Sequence, residues 1–197
     1  MTNTLKDLRT GVIAFVLFSV LFGLAYPAAI TGIAQLVFNR QANGSIIERD
    51  GEAVGSSLVG QSFSAPTYFH SRPSAAGADG YDASASSGSN LGPSSQVLAD
   101  RIAEDAAAIR EENGLAPDAE LPVDAVTASS SGLDPHISPA YAMLQVPRIA
   151  RERDVPEADV RRLVEKNRDD STFFVLGEPR VNTLRLNLDL DKEFGKE

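Results

Sequence analysis

The sequence predicts an α+β protein, in which a single N-terminal transmembrane helix is followed by one mixed α/β extracytoplasmic domain. Two observations carry this prediction: no charged residue lies between Arg9 and Arg40, and the rest of the chain alternates helix signals with short strand signals. Of the 27 acidic and 18 basic residues, those before residue 41 are Lys6, Asp7, Arg9 and Arg40. The net charge is therefore −11 for residues 41–197, against −9 for the whole chain.

Residues 11–38 form the predicted transmembrane helix, after a short cytoplasmic N-terminus of residues 1–10. About 20 apolar residues cross a hydrocarbon core of about 30 Å, so this segment is long enough to span it. Pro27 removes a backbone donor and is expected to kink the helix. A cleaved signal peptide ending near Ala25 and a buried core helix are the competing interpretations. The apolar sequence continues well beyond Ala25, which favours an uncleaved anchor.

The charges that flank the apolar segment predict its orientation. Lys6, Arg9 and the free amino terminus precede it, whereas Arg40 follows it. The positive-inside rule places the N-terminus in the cytoplasm and residues 39–197 outside, so we expect a single-pass protein of the cell membrane.

Small residues recur four positions apart in this helix. Such residues let a second helix approach closely, and packing of this kind drives helix association in lipid. We therefore expect a membrane partner to contact Ser19, Gly23, Ala25, Ala28, Ala29 and Gly32.

Composition excludes several functional classes. The chain has no Cys, which excludes disulfides, thiolate metal sites and thiol nucleophiles. A pI near 4.7 argues against nucleic acid as a partner. With two His residues and no HExxH pattern, we predict no metal site. Residues 55–62 have Walker A spacing, but Gln61 stands where the phosphate-binding Lys is required, so the pattern is better interpreted as a strand with glycines.

The triplet 134–136, Asp-Pro-His, lies near Ser129, Ser130 and Ser131 and raises the alternative of a serine hydrolase. An Asp and a His two residues apart are poorly placed to hydrogen-bond head-on and also present the imidazole to a serine. No nucleophile-elbow glycine pattern surrounds these serines either. We therefore predict no catalytic residue, and expect Asp134 and Ser138 to accept backbone donors in a tight turn.

Helix and strand signals follow one another through the domain. Caps and periodicity predict helices from Ser95 to Asn113, from Ser138 with a bend at Pro147, and from Pro156. Strands are predicted at 57–63, 123–127, 173–176 and 181–188. The charged residues between Arg148 and Asp169 are interpreted as solvated, salt-bridged helix faces.

The segment 71–95 contains 8 Ser, 4 Gly and 5 Ala among its 25 residues. This composition is typical of a linker or a disordered segment. Tyr81, Asn90 and Leu91 within it are equally consistent with an ordered loop that docks on the domain. Both interpretations stay open at this point.

Six strings, together with residues 31–35 and 41–45 at the end of the membrane helix, resemble the C subunit of the bacterial Kdp potassium-transporting P-type ATPase, the KdpC family. The strings SSGSNLGPS and SGLDPHIS are highly specific, and the resemblance covers nearly the whole chain. Ser130 departs from the glycine expected in the family pattern, which affects one turn. The strings, called family strings below, lie at residues 55–63, 68–75, 86–94, 126–138, 145–153 and 177–191.

The resemblance implies a non-catalytic accessory subunit of a high-affinity ATP-driven potassium uptake complex. Such a subunit supports assembly and stability, and a role in potassium entry has been proposed. Its partners would be the channel-like subunit and the P-type ATPase subunit, so that ATP and potassium are handled by the complex and no cofactor is bound here. A direct nucleotide role is weakened by the predicted topology. Alternatives are a membrane-anchored binding module or the serine hydrolase. Residues expected at an interface, or in locking a loop, are Arg72, Asn90, Asp134 and His136.

Overall fold

The computed structural model describes residues 2–49, 51–171 and 175–195, and divides into two compact units, residues 1–46 and 47–197. The helices are α1 (Thr2–Val20), α2 (Tyr26–Val37), α3 (Asn39–Ala42), α4 (Gln96–Glu112), α5 (Val123–Val126), α6 (Pro139–Glu152), α7 (Glu157–Lys166) and α8 (Thr183–Phe194). The strands are β1 (Ile46–Arg49), β2 (Glu52–Ser56), β3 (His136–Ile137), β4 (Arg168–Asp169) and β5 (Arg180–Asn182).

The first unit is dominated by one apolar helix. Its span Asn3–Val37 has 35 residues and is long and apolar enough to cross a membrane. A π-helical turn, Leu21–Ala25, joins α1 to α2 just before Pro27. A proline ring clashes with the carbonyl four residues earlier, and a widened turn at that point relieves the clash. The predicted apolar N-terminal helix is confirmed, and it begins well before residue 11.

Three amide side chains form a cluster where this helix ends. Gln35 and Asn43 bond each other through both amide groups, at 3.1 and 3.2 Å. Asn39 donates to the Gln35 side chain at 3.2 Å, and Asn43 donates to the Asn39 carbonyl at 2.7 Å. The Asn39 carbonyl also accepts the Asn43 backbone N–H at 3.1 Å, so the cluster joins the last turn of α2 to α3 and the residue after it.

The core of the second unit lies between α6, α7, α8 and a three-stranded sheet of order β3-β5-β4. Both strand pairs are antiparallel, with His136 opposite Asn182 and Arg168 opposite Val181. The fully buried side chains Val146, Ile149, Leu163 and Leu186 fill the space between them and exclude water from it. The predicted α+β architecture is confirmed, although helix predominates.

The three long predicted helices are confirmed together with their caps. Ser95 caps α4 by accepting the Leu98 N–H, and Ser138 caps α6 by accepting the Tyr141 N–H at 3.0 Å. On α7 the residues Val160, Leu163 and Val164 are buried as predicted.

Three of the predicted strands are wrong. Residues 183–188 lie in α8 and residues 123–126 in α5, while residues 57–63 form a turn and irregular chain after β2. The residues buried on α8 recur at the three- and four-residue spacing of a helix, as Thr183, Leu186 and Leu190 show. Asn182 caps the helix by accepting the Arg185 N–H at 3.1 Å. The predicted strand 173–176 lies partly outside the described residues.

The prediction of a fully solvated basic cluster is also wrong at two positions. Arg148 and Arg153 are 1% and 6% exposed, respectively, whereas Arg151, Arg161 and Arg162 lie at the surface as predicted. The two buried arginines bind backbone carbonyls, which replace the water that each guanidinium loses on burial.

The carbonyls that Arg148 and Arg153 bind belong to the irregular segment 66–70, which lies between α6 and α8. Asn187 accepts the Phe69 N–H and donates to the Phe69 carbonyl, both at 2.9 Å. Gln145 makes the same pair of bonds with His70, at 2.7 and 3.2 Å. Phe69 is fully buried, so side-chain amides provide this segment with the bonds that a neighbouring strand would otherwise supply.

Candidate functional site

The chain continues from segment 66–70 to Arg72, and the Arg72 side chain contacts the loop before β3. Arg72 donates through Nη1 to Asp134 Oδ2 at 3.1 Å. Its Nε and Nη2 both donate to the Thr127 carbonyl, at 3.3 and 3.2 Å. Three donors of one planar guanidinium thus join the segment 66–72 to both ends of the loop 127–134.

Asp134 also organises the turn that enters β3. Its Oδ1 accepts the His136 backbone N–H at 3.0 Å and lies 3.2 Å from His136 Nδ1. The expected Asp turn is confirmed. The two side chains do contact each other, whereas the sequence predicted only that such a bond would not at the same time present the imidazole to a serine.

These contacts set the ionisation of Asp134. Burial by itself raises the pKa of the carboxyl group, but the side-chain and backbone bonds from His136, together with the charges of His136 and Arg72, outweigh burial. The pKa of Asp134 therefore lies below its usual value of 3.8. The arrangement favours a carboxylate, consistent with a structural ion pair.

Replacement of Asp134 by Asn should destabilise the domain in a pH-dependent way. Because the folded pKa is below the unfolded one, the carboxylate stabilises the fold above pH 4 or so and loses this effect as the pH falls through the folded pKa. We expect Asp134→Asn to lower the free energy of unfolding by about 1–2 kcal/mol at pH 7 and by much less near pH 3. Urea titrations at both pH values measure this. Asp118→Asn, at an exposed position, is the control. An equal loss for Asp134→Asn at both pH values would contradict the prediction.

The Arg72–Asp134 pair lies in the wall of two neighbouring clefts. The first, here named the polar cleft, has a volume of about 590 Å³. It is also lined by Asp124, His136, Glu178 and Arg180. The second, named the apolar cleft, has a volume of about 710 Å³. It is also lined by Leu58, Val59, Leu133 and Pro135.

Asp124 in the polar cleft is already hydrogen-bonded within the protein. Its Oδ2 accepts the Ser138 N–H at 2.6 Å, and its Oδ1 accepts the Ser138 hydroxyl at 2.8 Å. These bonds tie α5 to the start of α6. They also bear on the serine hydrolase alternative, because the Ser138 hydroxyl donates to Asp124, and the Ser131 hydroxyl accepts the Leu133 N–H. Neither serine is bonded to His136.

The Ser-rich segment 71–95 is an ordered loop that packs on the same surface. The Ser74 hydroxyl donates to the Gly132 carbonyl at 2.7 Å and accepts the Tyr81 N–H at 2.8 Å. The Tyr81 hydroxyl donates to the Arg72 carbonyl at 2.7 Å. The Ser87 N–H donates to the Ser131 carbonyl at 3.0 Å. Of the two interpretations left open by composition, the structure supports the docked loop.

Gly132 is where the two loops approach most closely. Its φ is +68°, and a Cβ built there would lie 2.6 Å from Ala76 Cβ and 2.7 Å from the Ser87 carbonyl oxygen. Gly132→Ala should therefore combine backbone strain with a clash and lower the free energy of unfolding by about 2–4 kcal/mol. The matched control is Gly114→Ala, with φ +65° and nothing within 4 Å of the new Cβ, for which we expect about 1 kcal/mol.

Chemical denaturation of both glycine variants measures the difference, and limited proteolysis of segment 71–95 reports whether the loop has been released. Equal losses for the two variants would mean that the close contact at Gly132 has no energetic effect.

The structure places the other predicted residues as follows. Asn90 is exposed, has φ +52°, and is not brought to the Arg72–Asp134 pair. The small residues of the membrane helix are all exposed in their unit. At about 100° per residue, Ser19 and Gly23 lie on one side of the helix and Ala25, Ala28, Ala29 and Gly32 on another.

In the described part of the chain, no group of three His, Cys, Asp or Glu side chains could hold a metal ion.

Comparison with known proteins decides the family. The model of the family KdpC, K+-transporting ATPase, c chain, matches residues 8–192. The chain belongs to the KdpC family. A potassium-transporting ATPase KdpC subunit of Caulobacter vibrioides is 54% identical over 191 residues, which cover 96% of this chain and 95% of the relative. The KdpC subunit of Koribacter versatilis is 53% identical over 186 residues, 94% of each chain. That of Mycobacterium bovis is 51% identical over 187 residues, 95% of this chain and 98% of the relative.

The family assignment made from the sequence is therefore confirmed, and with it the prediction that the chain is a non-catalytic subunit of a potassium-transporting ATPase. The structure adds that four of the six family strings meet at the two clefts. They contribute Leu58 and Val59, Arg72, the loop 127–138, and Glu178 to Arg180. The string 145–153 carries Gln145, Arg148 and Arg153, which hold segment 66–70, and the string 86–94 carries Ser87, which bonds Ser131.

Sequence reasoning missed Arg180 and Leu58 as members of this surface. The only available signal was their presence inside family strings, since neither residue belongs to a recognisable chemical motif. Their proximity to Arg72 depends on long-range contacts that no local pattern reports.

Proposed function

We propose that this chain is an accessory subunit of an ATP-driven potassium uptake complex and supports the assembly and stability of that complex. The observation that carries the proposal is the match of the KdpC family model to residues 8–192, nearly the whole chain. The relatives' names describe subunits of a potassium-transporting ATPase. The partners proposed from the family are a channel-like subunit, which selects potassium, and a P-type ATPase subunit, which hydrolyses ATP.

The proposed topology has residues 1–10 in the cytoplasm, the apolar helix in the membrane and residues 39–197 outside. The apolar helix and the basic residues Lys6 and Arg9 before it support this orientation. In this arrangement the domain is separated from cytoplasmic ATP, so nucleotide chemistry falls to the partner subunit. Protease added to right-side-out membrane vesicles would digest the domain if this topology holds. It would leave the domain intact if the topology were reversed.

The small residues of the membrane helix are proposed to contact a partner helix. Nothing lies within 4 Å of a Cβ built at Gly23 or at Gly32, so a neighbouring backbone has space to approach. The two sides identified above, one with Ser19 and Gly23 and one with Ala28 and Gly32, provide room for contact with more than one helix.

The acidic domain is further proposed to raise the local concentration of potassium at the entrance of the complex. Residues 41–197 carry a net charge of −11, and a concentration of one charge sign creates a potential that attracts counter-ions. Salt screens this effect beyond about 8 Å at physiological ionic strength. Neutralising exposed acidic residues should therefore weaken apparent potassium affinity at low ionic strength, and an unchanged affinity there would exclude this role.

The decisive experiment is purification of the tagged full-length chain in a mild detergent from cells that express all the proposed subunits. We expect the channel-like and ATPase subunits to co-purify with it. Recovery of the chain alone would favour a membrane-anchored binding module and would overturn the proposed function.

A further inference from the structure

The two clefts beside the Arg72–Asp134 pair form one divided surface, apolar on one side and polar on the other. We infer that this surface binds an extended segment of a partner subunit in which an apolar side chain lies close to an Asp or Glu. The apolar side chain would occupy the apolar cleft and the carboxylate would bind Arg180 in the polar cleft. This inference rests on the proposed function, because it assumes an assembled complex.

One arginine of the polar cleft, Arg180, indicates that the missing group is an anion. The half-buried carboxylates of the cleft are already occupied, since Asp134 accepts from Arg72 and His136 and Asp124 accepts twice from Ser138. Arg180 differs from them. Its side chain is half-buried, yet its guanidinium makes no hydrogen bond or ion pair with residues 2–49, 51–171 or 175–195. A half-buried arginine without an anion is a ready partner for a carboxylate, which it can bind through two parallel bonds.

Local geometry also holds Arg180 at this cleft. The backbone at Arg180 is fixed in β5, where it pairs with Asp169 of β4. Its Nη1 lies 3.7 Å from the position that a Cβ would take at Gly177, so the guanidinium extends back over the Gly177 turn. Glu178 lines the same cleft but is exposed, so water screens its repulsion of an incoming carboxylate.

The apolar cleft provides the second half of the surface. Leu58 is 61% exposed although it follows a strand and lies next to the buried Ser57. It shares the cleft with Val59, Leu133 and Pro135. A large apolar side chain left exposed beside other apolar groups stabilises a contact when a partner covers it. The Arg72–Asp134 pair borders both clefts, so an apolar and an acidic group in one short segment could reach both.

Site-specific photo-cross-linking in the intact complex tests the inference. A benzophenone amino acid replaces Leu58 in one preparation and Glu178 in another, and Val97 of α4, which is 66% exposed and lines neither cleft, in the control. We expect the first two probes to cross-link to another subunit, at a segment containing an apolar residue and an Asp or Glu, and the Val97 probe to give at least tenfold less of that product.

Charge reversal provides an independent test. Arg180→Glu should reduce the partner subunits that co-purify at moderate salt by about tenfold, the effect of losing one well-formed charge pair. Arg185→Glu, the same change at an exposed arginine that lines neither cleft, should have little effect. Replacing the cross-linked Asp or Glu of the partner by Arg should restore co-purification with Arg180→Glu.

The outcomes separate this inference from the proposed function. If the unmodified chain brings no other subunit with it, the proposed function fails. If the complex co-purifies but the Leu58 and Glu178 probes label only lipid, a second copy of this chain or a segment without an acidic residue, the inference is overturned and the proposed function stands. Should Arg180→Glu fail to fold, as measured by circular dichroism, the two cross-linking probes decide the question.

Discussion

Replacement of Arg148 by Ala should be among the most destabilising single changes in the domain, with a loss of about 3–5 kcal/mol in the free energy of unfolding. The guanidinium is 1% exposed and donates to the carbonyls of Pro66 and Tyr68 and to the side chains of Gln145 and Asn113. Removing it takes this donor from the carbonyls of Pro66 and Tyr68 and from the Asn113 amide oxygen, whereas Gln145 keeps the His70 N–H. Each unpaired buried group costs about 1–3 kcal/mol.

Denaturant titration of the full-length chain, followed by circular dichroism, measures this loss. The matched control is Arg151→Ala, three residues later on the same helix, where the side chain is 57% exposed and pairs with Glu152. We expect at most about 0.5 kcal/mol for that change, because exposed ion pairs contribute little. A loss for Arg148→Ala as small as the control's would show that water replaces the guanidinium in the folded state.

A second large effect is expected for Asp191→Ala on α8. The Asp191 side chain is 6% exposed and bridges two arginines, with Arg49 Nη1 at 2.8 Å and Arg153 Nη2 at 3.0 Å. The Arg153 side chain is 1% exposed and lies over the Tyr68 ring, 4.8 Å from its centroid. Without Asp191 a buried cation loses its carboxylate, and we expect a loss of about 3–5 kcal/mol.

The control for this change is Asp189→Ala, two residues earlier on α8. Asp189 pairs with Lys166, which is 63% exposed, so its removal should cost about 1 kcal/mol or less. Hydrogen exchange at residues 67–69 distinguishes the two variants further. Faster exchange is expected only in Asp191→Ala, since Arg153 also donates to the Thr67 carbonyl at 2.7 Å.

The sequence predicted helices better than strands in this domain, and the reason lies in the caps. Ser95 and Ser138 each provide a side-chain acceptor at a helix start, and both signals are local. The segment 183–188 was misassigned because its leucines alternate in sequence, a pattern that satisfies a strand. Asn182 at the N-cap and burial of Leu186 and Leu190 against α6 and α7 select the helix, and only the cap was visible in the sequence.

The candidate site was predictable in part. Four residues were expected at an interface or in locking a loop. Of these, Asp134 bonds both Arg72 and His136, whereas no such contact involves Asn90 in the described part of the chain. Family resemblance led to the selection of these residues, but it did not predict how they bond to one another. The contact between Asp134 and the His136 ring was not predicted, because spacing alone does not show whether one side chain reaches the other.

By itself, the sequence determined the properties that depend on composition and local order. These are the uncharged helix near the N-terminus, the net charge of −11 on the remainder, the capped helices and the family. The tertiary structure alone decided that Arg148 and Arg153 are buried, that the Ser-rich segment is docked, and that Leu58 and Arg180 lie on either side of the Arg72–Asp134 pair. Hydrophobicity and capping act within a few residues along the chain, whereas these contacts join residues that lie far apart in sequence and are set by how the helices pack.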